Sequence, residues 1–271
     1  PRITWTADAN LCIQRMNRLQ NKIELLFANA SNGSSKVILT EEAKTYIDIT
    51  DNLTFLSGNK GFIWSSEMDE FNHLYYYDMN GKLINQITKG NWDVVEFKGY
   101  DEKTSTLFYT STERGAINRD LYSINLKGSS KKLLSTAEGT TDADFANGFK
   151  YYVSSFSNAN APIVSELHTA DGKLVKVLED NKALVDKLKP YNLSQKTFFT
   201  FKTSEGVELN GWMIKPQNFD ASKKYPVYMT AYNGPGSNMV NNSWSGSLWD
   251  QLLAQEGYMV VCVDGRGTLG R

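Results

Sequence analysis

A hairpin recurs four times in the first two-thirds of the sequence, and this repetition is the feature that most constrains the fold. Each copy has a β-prone run, a polar turn carrying one glycine, and a second β-prone run, which is the pattern of a two-stranded hairpin. Glycine supplies the positive φ that such turns require. The turn glycines, about 44 to 48 residues apart, are Gly33, Gly81, Gly128 and Gly172.

The stretches between the hairpins hold two further strand-like runs each, for example residues 94–100 and 106–111. Four strands per repeat at this period indicate the blades of a β-propeller. Helical periodicity is almost absent before Lys182, which argues against an array of helical repeats. We count three full blades and one partial blade at the start. Either a small closed ring or an open arc would satisfy the pattern.

The pattern changes after Glu179. A short helix is predicted at residues 180–189, where Pro190 follows. Beyond it an antiparallel hairpin, a strand, an amphipathic helix and a continuous apolar strand follow one another, as at the beginning of an α/β-hydrolase sheet. These elements are predicted at residues 196–203 with 207–215, 225–232, 245–255 and 258–263.

The chain is therefore predicted to be mainly β. Residues 1–187 should form the C-terminal portion of a β-propeller, about four blades, and residues 188–271 the N-terminal portion of an α/β-hydrolase domain. The last two strands should be parallel. Because the strand at 258–263 expects a further strand beside it, this truncated edge should be covered by a partner chain or be poorly ordered. The helix at 245–255 should bury one apolar face, formed by Leu248, Trp249, Leu252 and Leu253.

Composition excludes several functions. With 29 basic and 30 acidic side chains and no basic run, the chain lacks the charge of a nucleic-acid binder. No apolar stretch approaches the roughly 20 residues of a membrane span, so we predict no membrane insertion. Cys12 and Cys262 each lie in an apolar run, which indicates buried free thiols rather than a disulfide or a metal site. We predict no cofactor and no metal.

Several short segments, spread from one end of the sequence to the other, carry a family resemblance. After the strand at 225–232 comes YNGPGS (232–237), and after the last strand VDGRG (263–267). Upstream segments are WT at 5–6, QRMNRLQN at 14–21, TKGNWDV at 88–94 and VLEDNKAL at 177–184. Together they resemble the dipeptidyl peptidase IV branch of the prolyl oligopeptidase superfamily of serine peptidases.

The resemblance implies a parent serine exopeptidase that releases N-terminal dipeptides from peptide substrates, after a penultimate proline or alanine. It also implies that the phenol of Tyr232 donates a hydrogen bond to the oxyanion of the tetrahedral intermediate. Export to the periplasm, cell surface or medium and a homodimer are further implications. From the residues alone, the expected interpretation of Tyr232 is an exposed residue at a strand end with its hydroxyl in water, and only the resemblance favours the oxyanion role.

The catalytic triad is absent from this sequence. No Gly-x-Ser-x-Gly elbow occurs, and the serines near Gly236 and Gly246 lack glycines at both required offsets. His73 and His168 precede any nucleophile, whereas this fold orders the triad serine, acid, histidine, so both are predicted to be structural. We reject the pair Glu41–Glu42 as an amine-binding site and expect an exposed turn between blades. The segment should be inactive by itself.

Two alternatives stay open. A tripeptidyl or acyl-peptide-releasing peptidase of the same superfamily would keep Tyr232 but differ in the element that binds the substrate's amine. A non-catalytic homologue would keep the fold and use it as a protein-binding module.

Overall fold

The computed structural model describes residues 2–6, 10–234 and 236–269. Within these residues the strands form five four-stranded sheets. The first four sheets each take four consecutive strands. The first sheet contains β1 (Arg2–Trp5), β2 (Leu11–Met16), β3 (Lys22–Ala28) and β4 (Ser35–Glu42), and the second β5 (Thr54–Phe55), β6 (Phe62–Ser66), β7 (His73–Tyr77) and β8 (Leu83–Gln86). The third contains β9 (Val94–Asp101), β10 (Thr106–Ser111), β11 (Asp120–Asn125) and β12 (Lys132–Leu133), and the fourth β13 (Thr140–Phe145), β14 (Tyr151–Asn158), β15 (Ala161–Thr169) and β16 (Leu174–Glu179).

The repeat predicted from sequence is confirmed. In every one of these sheets the recurrent hairpin joins the third strand to the fourth, and the order of strands follows the chain. The pairings of the first, second and fourth sheets are antiparallel throughout. The expectation of a partial first blade is wrong, because β1 pairs with β2 over four residues and completes that sheet.

The turn glycines adopt the positive φ that the hairpin requires, between +72° at Gly33 and +89° at Gly172. Gly81 has a second reason to lack a side chain. A methyl group placed on it would lie 1.7 Å from the carbonyl oxygen of Ile38, a residue of β4. The same group on Gly33 would meet open space. The turn of the second sheet thus packs backbone to backbone against the last strand of the first.

The two inner strands of the second sheet, β6 and β7, are buried on both faces, and their side chains alternate between two apolar clusters. Phe62, Trp64, Tyr75 and Tyr77 join an apolar cluster with residues of β2 and β3. Ile63 and Leu74 point the other way. They join a second cluster that includes Trp92, Val94, Leu107, Tyr109, Tyr122 and Ile124. Trp64 is 1% exposed, so β6 and β7 form the centre of this core.

The chain divides into two compact units, one of residues 1–109 with 122–132 and one of residues 110–121 with 133–271. This division falls within β10 and β11 of the third sheet. The domain boundary between residues 187 and 188 that the sequence suggests is a different division, and it stays a prediction.

The fifth sheet contains β17 (Lys196–Lys202), β18 (Glu208–Ile214), β19 (Val227–Thr230) and β20 (Met259–Val263), in the order β17-β18-β20-β19. β17 and β18 form the predicted antiparallel hairpin, and β19 and β20 are parallel as predicted. The expectation of a truncated edge at β20, covered by a partner chain or poorly ordered, is wrong. The chain crosses over and inserts β20 between β18 and β19, so β20 is an inner strand and β19 is an edge strand, with exposed Val227, Tyr228 and Met229.

One α-helix precedes this sheet in the sequence, and a second lies between β19 and β20. α1 (Lys182–Leu188) continues into a single 3-10 turn, and α2 (Trp249–Gln255) starts four residues later than predicted. The predicted apolar face of α2 is only partly confirmed. Leu253 packs against the apolar cluster of the fifth sheet, whereas Leu248, Trp249 and Leu252 are exposed. The buried residue of this helix is Ala254, which was not part of the predicted face. Of the helices that the structure describes, none is long and apolar enough to cross a membrane.

Candidate functional site

Tyr232 lies two residues beyond the end of β19, at the carboxyl edge of the parallel pair β19–β20. In open α/β sheets this edge is where ligands bind. Its side chain is 72% exposed, so the phenol is not packed into the sheet. A methyl group on Gly234 would lie 2.6 Å from the Tyr232 ring, so this position must be glycine for the ring to lie there. Pro235 of the same motif lies outside the described residues.

Two loops meet at this edge: the tyrosine loop (residues 232–242), which follows β19, and the aspartate loop (residues 264–269), which follows β20. The Gly265 amide donates to Oδ1 of Asn233 at 2.7 Å, directly beside Tyr232. Further along, the Leu269 amide donates to the carbonyl oxygen of Ser237 at 3.0 Å. These bonds join both ends of the aspartate loop to the tyrosine loop. The backbone next to Tyr232 is therefore fixed by contacts outside its own strand.

The carboxylate of Asp264 anchors the tyrosine loop. This side chain is 2% exposed and accepts three hydrogen bonds, all from that loop. The donors are the amides of Met239 (2.9 Å) and Val240 (3.0 Å) and the side-chain amide of Asn238. A buried carboxylate is tolerated only when donors replace its hydration. Asp264 therefore fixes the fold of the loop that carries Tyr232.

A second set of bonds ties the same loop to the segment before β11. Arg119 donates from Nη2 to Oδ1 of Asn238 at 2.9 Å, which orients that amide towards Asp264. The other terminal nitrogen of Arg119 binds the carbonyl oxygens of Ala116 and Asn118, at 2.8 and 2.7 Å. Nη2 also donates to Oδ1 of Asn241 at 3.4 Å, so four acceptors fix the planar donors and the guanidinium is rigidly placed.

Asn242, at the end of the tyrosine loop, makes contacts with the fourth sheet. Its Oδ1 accepts from the Ala159 amide at 3.0 Å, and its backbone oxygen accepts from Oγ1 of Thr140 at 3.1 Å. Sequence reasoning singled out Tyr232 but missed Asp264, Asn238, Arg119 and Asn242 as positioning residues. Asp264 belongs to the VDGRG segment, whereas nothing in the local sequence marks the others.

The two histidines are structural, as predicted. His73 is fully buried, with Nδ1 3.0 Å from Oγ1 of Thr88 and Nε2 2.9 Å from the carbonyl oxygen of Gly90. His168 is 5% exposed and stacks on Tyr152, with Nε2 3.0 Å from a carboxylate oxygen of Glu166. Both rings are thus engaged by cross-strand and turn partners.

The expected exposed turn at Glu41–Glu42 is wrong, because both residues end β4. Glu41 accepts hydrogen bonds from Nε1 of Trp64 (3.2 Å) and Oγ of Ser66 (2.7 Å), which ties β4 to β6. Glu42 makes an ion pair with Lys22 at 2.8 Å. β4 continues two residues further than expected because Glu41 and Glu42 pair with Ile23 and Lys22 of β3.

Cys12 and Cys262 are buried free thiols, as predicted. Burial raises the pKa of Cys12 to about 12 and raises that of Cys262 as well, so neither is a thiolate near neutral pH. In the part of the chain that the structure describes, no three His, Cys, Asp or Glu side chains come together as metal ligands would.

Comparisons with known proteins agree with this architecture. The family model of the dipeptidyl peptidase IV N-terminal region matches residues 1–163. Dipeptidyl peptidase 4 of Trichophyton equinum is 28% identical over 98% of this chain and 36% of its own length. A probable dipeptidyl-aminopeptidase B of Phaeosphaeria nodorum is 30% identical over 99% of this chain and 32% of its own length.

Solved structures give the same result. The crystal structure of Porphyromonas gingivalis dipeptidyl peptidase 4 superimposes on the whole chain with a TM-score of 0.94 and 40% identity, over 38% of that protein. A putative dipeptidyl aminopeptidase IV from Bacteroides ovatus matches the whole chain with a TM-score of 0.87 and 26% identity, over 42% of its length. The chain spans about a third of the length of the curated relatives it matches. Its fold is a partial β-propeller followed by the first strands of an α/β-hydrolase sheet, and the chain belongs to the dipeptidyl peptidase IV family.

Proposed function

We propose that the complete protein is a serine exopeptidase that releases N-terminal dipeptides from peptides after a penultimate proline or alanine. In this reaction Tyr232 supplies a hydrogen-bond donor to the oxyanion. The observation that carries the proposal is the exposed phenol at the carboxyl edge of the β19–β20 pair, on a loop fixed by Asp264. The names of the relatives, which are dipeptidyl peptidases, support the same reaction class.

Attack on a peptide carbonyl is accelerated by a hydrogen-bond donor to the oxygen of that carbonyl. When a nucleophile attacks the scissile carbonyl carbon, the π electrons of the C=O bond move onto oxygen and leave a negative charge there. A phenol O–H placed beforehand stabilises that charge without reorganisation at the moment of reaction, which is the basis of oxyanion-hole catalysis. The bonds from Asp264 and Asn233 hold the loop backbone that carries the phenol. No Gly-x-Ser-x-Gly elbow occurs among these 271 residues, so the proposal assigns the nucleophile and its acid and base to other residues of the complete protein.

The test is turnover of Gly-Pro-p-nitroanilide by the complete gene product and its Tyr232→Phe variant. Because the substitution removes only the hydroxyl, kcat should fall by about 100-fold or more while KM changes little. Tyr228→Phe is the matched control, since it removes a phenol hydroxyl from β19 itself and should leave kcat unchanged. Unchanged turnover in Tyr232→Phe would remove the tyrosine from the mechanism.

A second substrate separates the dipeptidyl peptidase from its rivals. N-acetyl-Gly-Pro-p-nitroanilide lacks the free amine that a dipeptidyl peptidase must bind, so it should not be cleaved. Cleavage of this blocked substrate would favour an acyl-peptide-releasing enzyme, and release of tripeptides from an unblocked peptide would favour a tripeptidyl peptidase. No turnover of any of these substrates would favour the non-catalytic homologue. Export and homodimerisation stay predictions.

A further inference from the structure

A cavity of about 280 Å³ lies between α1, the segment of residues 192–196 and the start of α2. All of its lining residues belong to the second compact unit. Its volume is close to the lower end of the range for small-molecule sites, roughly 300 Å³. None of the residues discussed above for oxyanion stabilisation lines it.

The walls combine an apolar surface with two opposite charges. Val185 and Leu188 of α1 and Trp244 supply apolar contact area. Lys196 and Asp250 line the same cavity and attract each other electrostatically. In the described part of the chain, neither of the two is in an ion pair. A polar ligand with two charges could therefore reach both groups.

Hydrogen bonds from two side-chain amides fix the backbone of the segment that carries Lys196. The side-chain amide of Asn160 donates to the Lys196 carbonyl oxygen (3.0 Å), and its Oδ1 accepts from the Lys196 amide (2.8 Å). The side chain of Gln251 clamps Ser194 in the same way, with bonds of 2.8 Å to its amide and 2.9 Å to its carbonyl oxygen. Two amide clamps thus hold the floor of the cavity in place, and pre-organisation of this kind favours ligand binding.

The Lys196 ammonium lies over an aromatic ring, and among the described residues no carboxylate lies within ion-pair distance of it. Its Nζ lies 4.5 Å from the ring centroid of Trp212, a cation–π contact. Burial lowers the pKa of Lys196, and the charge of Asp250 opposes that shift. An anionic group bound in the cavity would restore the solvation that burial removes from the ammonium.

We propose that this cavity binds a small zwitterion of the amino-acid type, with its carboxylate at Lys196, its ammonium at Asp250 and an apolar side chain against Val185, Leu188 and Trp244. A purely anionic ligand would be repelled by Asp250, and a cationic one by Lys196. A ligand without charges would leave both groups partly desolvated and without partners. The zwitterion is the class that satisfies both. This proposal stands independently of the proposed peptidase activity.

The experiment is isothermal titration calorimetry of the complete gene product at pH 7 with L-leucine, L-leucinamide and N-acetyl-L-leucine. L-leucine should bind saturably. Each blocked analogue should bind at least about 10-fold more weakly, because it loses one charged hydrogen-bonded contact. Lys196→Met should weaken L-leucine binding by a similar factor and abolish the preference for L-leucine over L-leucinamide. Asp250→Asn should abolish the preference over N-acetyl-L-leucine.

Matched controls lie on the same elements but outside the cavity: Lys202→Met in β17 and Glu256→Gln just after α2, which should bind L-leucine like the wild type. Peptidase turnover measured in the same variants keeps this test separate from that of the proposed function. No saturable heat up to about 10 mM L-leucine, equal affinity for the blocked analogues, or unchanged binding in Lys196→Met would overturn the proposal. The blocked analogues test it on the wild-type protein even if a variant fails to fold.

Discussion

The second sheet and the paired loops beyond β19 and β20 are both well ordered by buried groups, but the groups are of opposite kinds. In the sheet, Trp64 and Tyr75 are almost fully buried among other apolar and aromatic side chains. In the loops, the central buried group is the carboxylate of Asp264, surrounded by amide donors. The sheet is stabilised by apolar burial that many residues share, whereas the loops depend on a few directional bonds.

The difference has a practical consequence for the two regions. An apolar core loses stability in proportion to the volume removed from it. A polar network loses its fold when a single acceptor is replaced by a donor, even if no volume changes. The four predictions below test this contrast, from the largest expected effect to the smallest.

Trp64→Ala should lower the free energy of unfolding of its compact unit by about 3–5 kcal/mol, because it leaves a large cavity and removes the bond to Glu41. Trp249→Ala is the matched control, since that side chain is 56% exposed and its loss should cost less than about 1 kcal/mol. Urea denaturation followed by far-UV circular dichroism gives both values. Equal losses in the two variants would mean that burial does not distinguish these tryptophans.

Asp264→Asn keeps the volume but turns one of the two acceptor oxygens into a donor, which then faces either the amide of Met239 or that of Val240. Leaving such a donor without an acceptor costs about 1–3 kcal/mol, and the cost should be local to the tyrosine loop. Hydrogen exchange at these two amides should accelerate by about 10-fold or more. The control variant Asp220→Asn, which lies in an exposed turn, should leave the exchange rates of these two amides unchanged. Undiminished protection in Asp264→Asn would show that the loop does not depend on this carboxylate.

Gly81→Ala and Gly33→Ala compare equivalent turns with similar φ, +79° and +72°. Both variants carry the cost of a left-handed residue, about 1 kcal/mol. Only the Gly81 variant also brings its methyl group against the Ile38 carbonyl oxygen, so it should lose about 2 kcal/mol or more in total. The thermal unfolding midpoints of the two variants measure the difference between their stabilities. If the two variants unfold at the same temperature, the contact between the first and second sheets is not tight.

Glu67→Gln tests a weaker electrostatic effect near the second sheet. Burial, with added repulsion from Asp93, Asp48 and Glu41, raises the pKa of Glu67 above its ordinary value of 4.5. The folded state therefore binds this proton more tightly than the unfolded state, and the glutamate costs stability as the pH rises from 4.5 through the raised pKa.

The Gln variant should therefore have the same free energy of unfolding as the wild type in acid. Across that pH window its free energy of unfolding should become higher than that of the wild type. The gain should be about 0.5 kcal/mol or less, because the burial of Glu67 is only partial: more than a third of its surface stays in contact with water, which screens the repulsion. Urea unfolding of both proteins at a series of pH values checks the sign, and 1 M NaCl should shrink the difference. If the wild type instead became more stable than the variant as the pH rises, the pKa of Glu67 would not be raised in the folded state.

Most of the fold could be predicted from local patterns. The four hairpins, their glycines and the antiparallel β17–β18 pair were all recognisable because strand periodicity and turn chemistry act within a few residues. The errors share one cause. The position of β20 inside the sheet, the buried face of α2 and the strand continuation at Glu41 depend on which distant segment packs there, and no local pattern records that.

The candidate site divides in the same way. The sequence by itself determined that Tyr232 follows a strand at the start of a hydrolase-like sheet, since the YNGPGS segment and the apolar run before it are local signals. Only the tertiary structure decided what holds that tyrosine loop. Arg119 lies more than a hundred residues before Asn238, and Asp264 lies 26 residues after Asn238, just beyond the end of β20. A hydrogen bond requires its donor and acceptor to meet within about 3 Å in space, whatever their separation along the chain, so partners of this kind emerge only when the chain has folded.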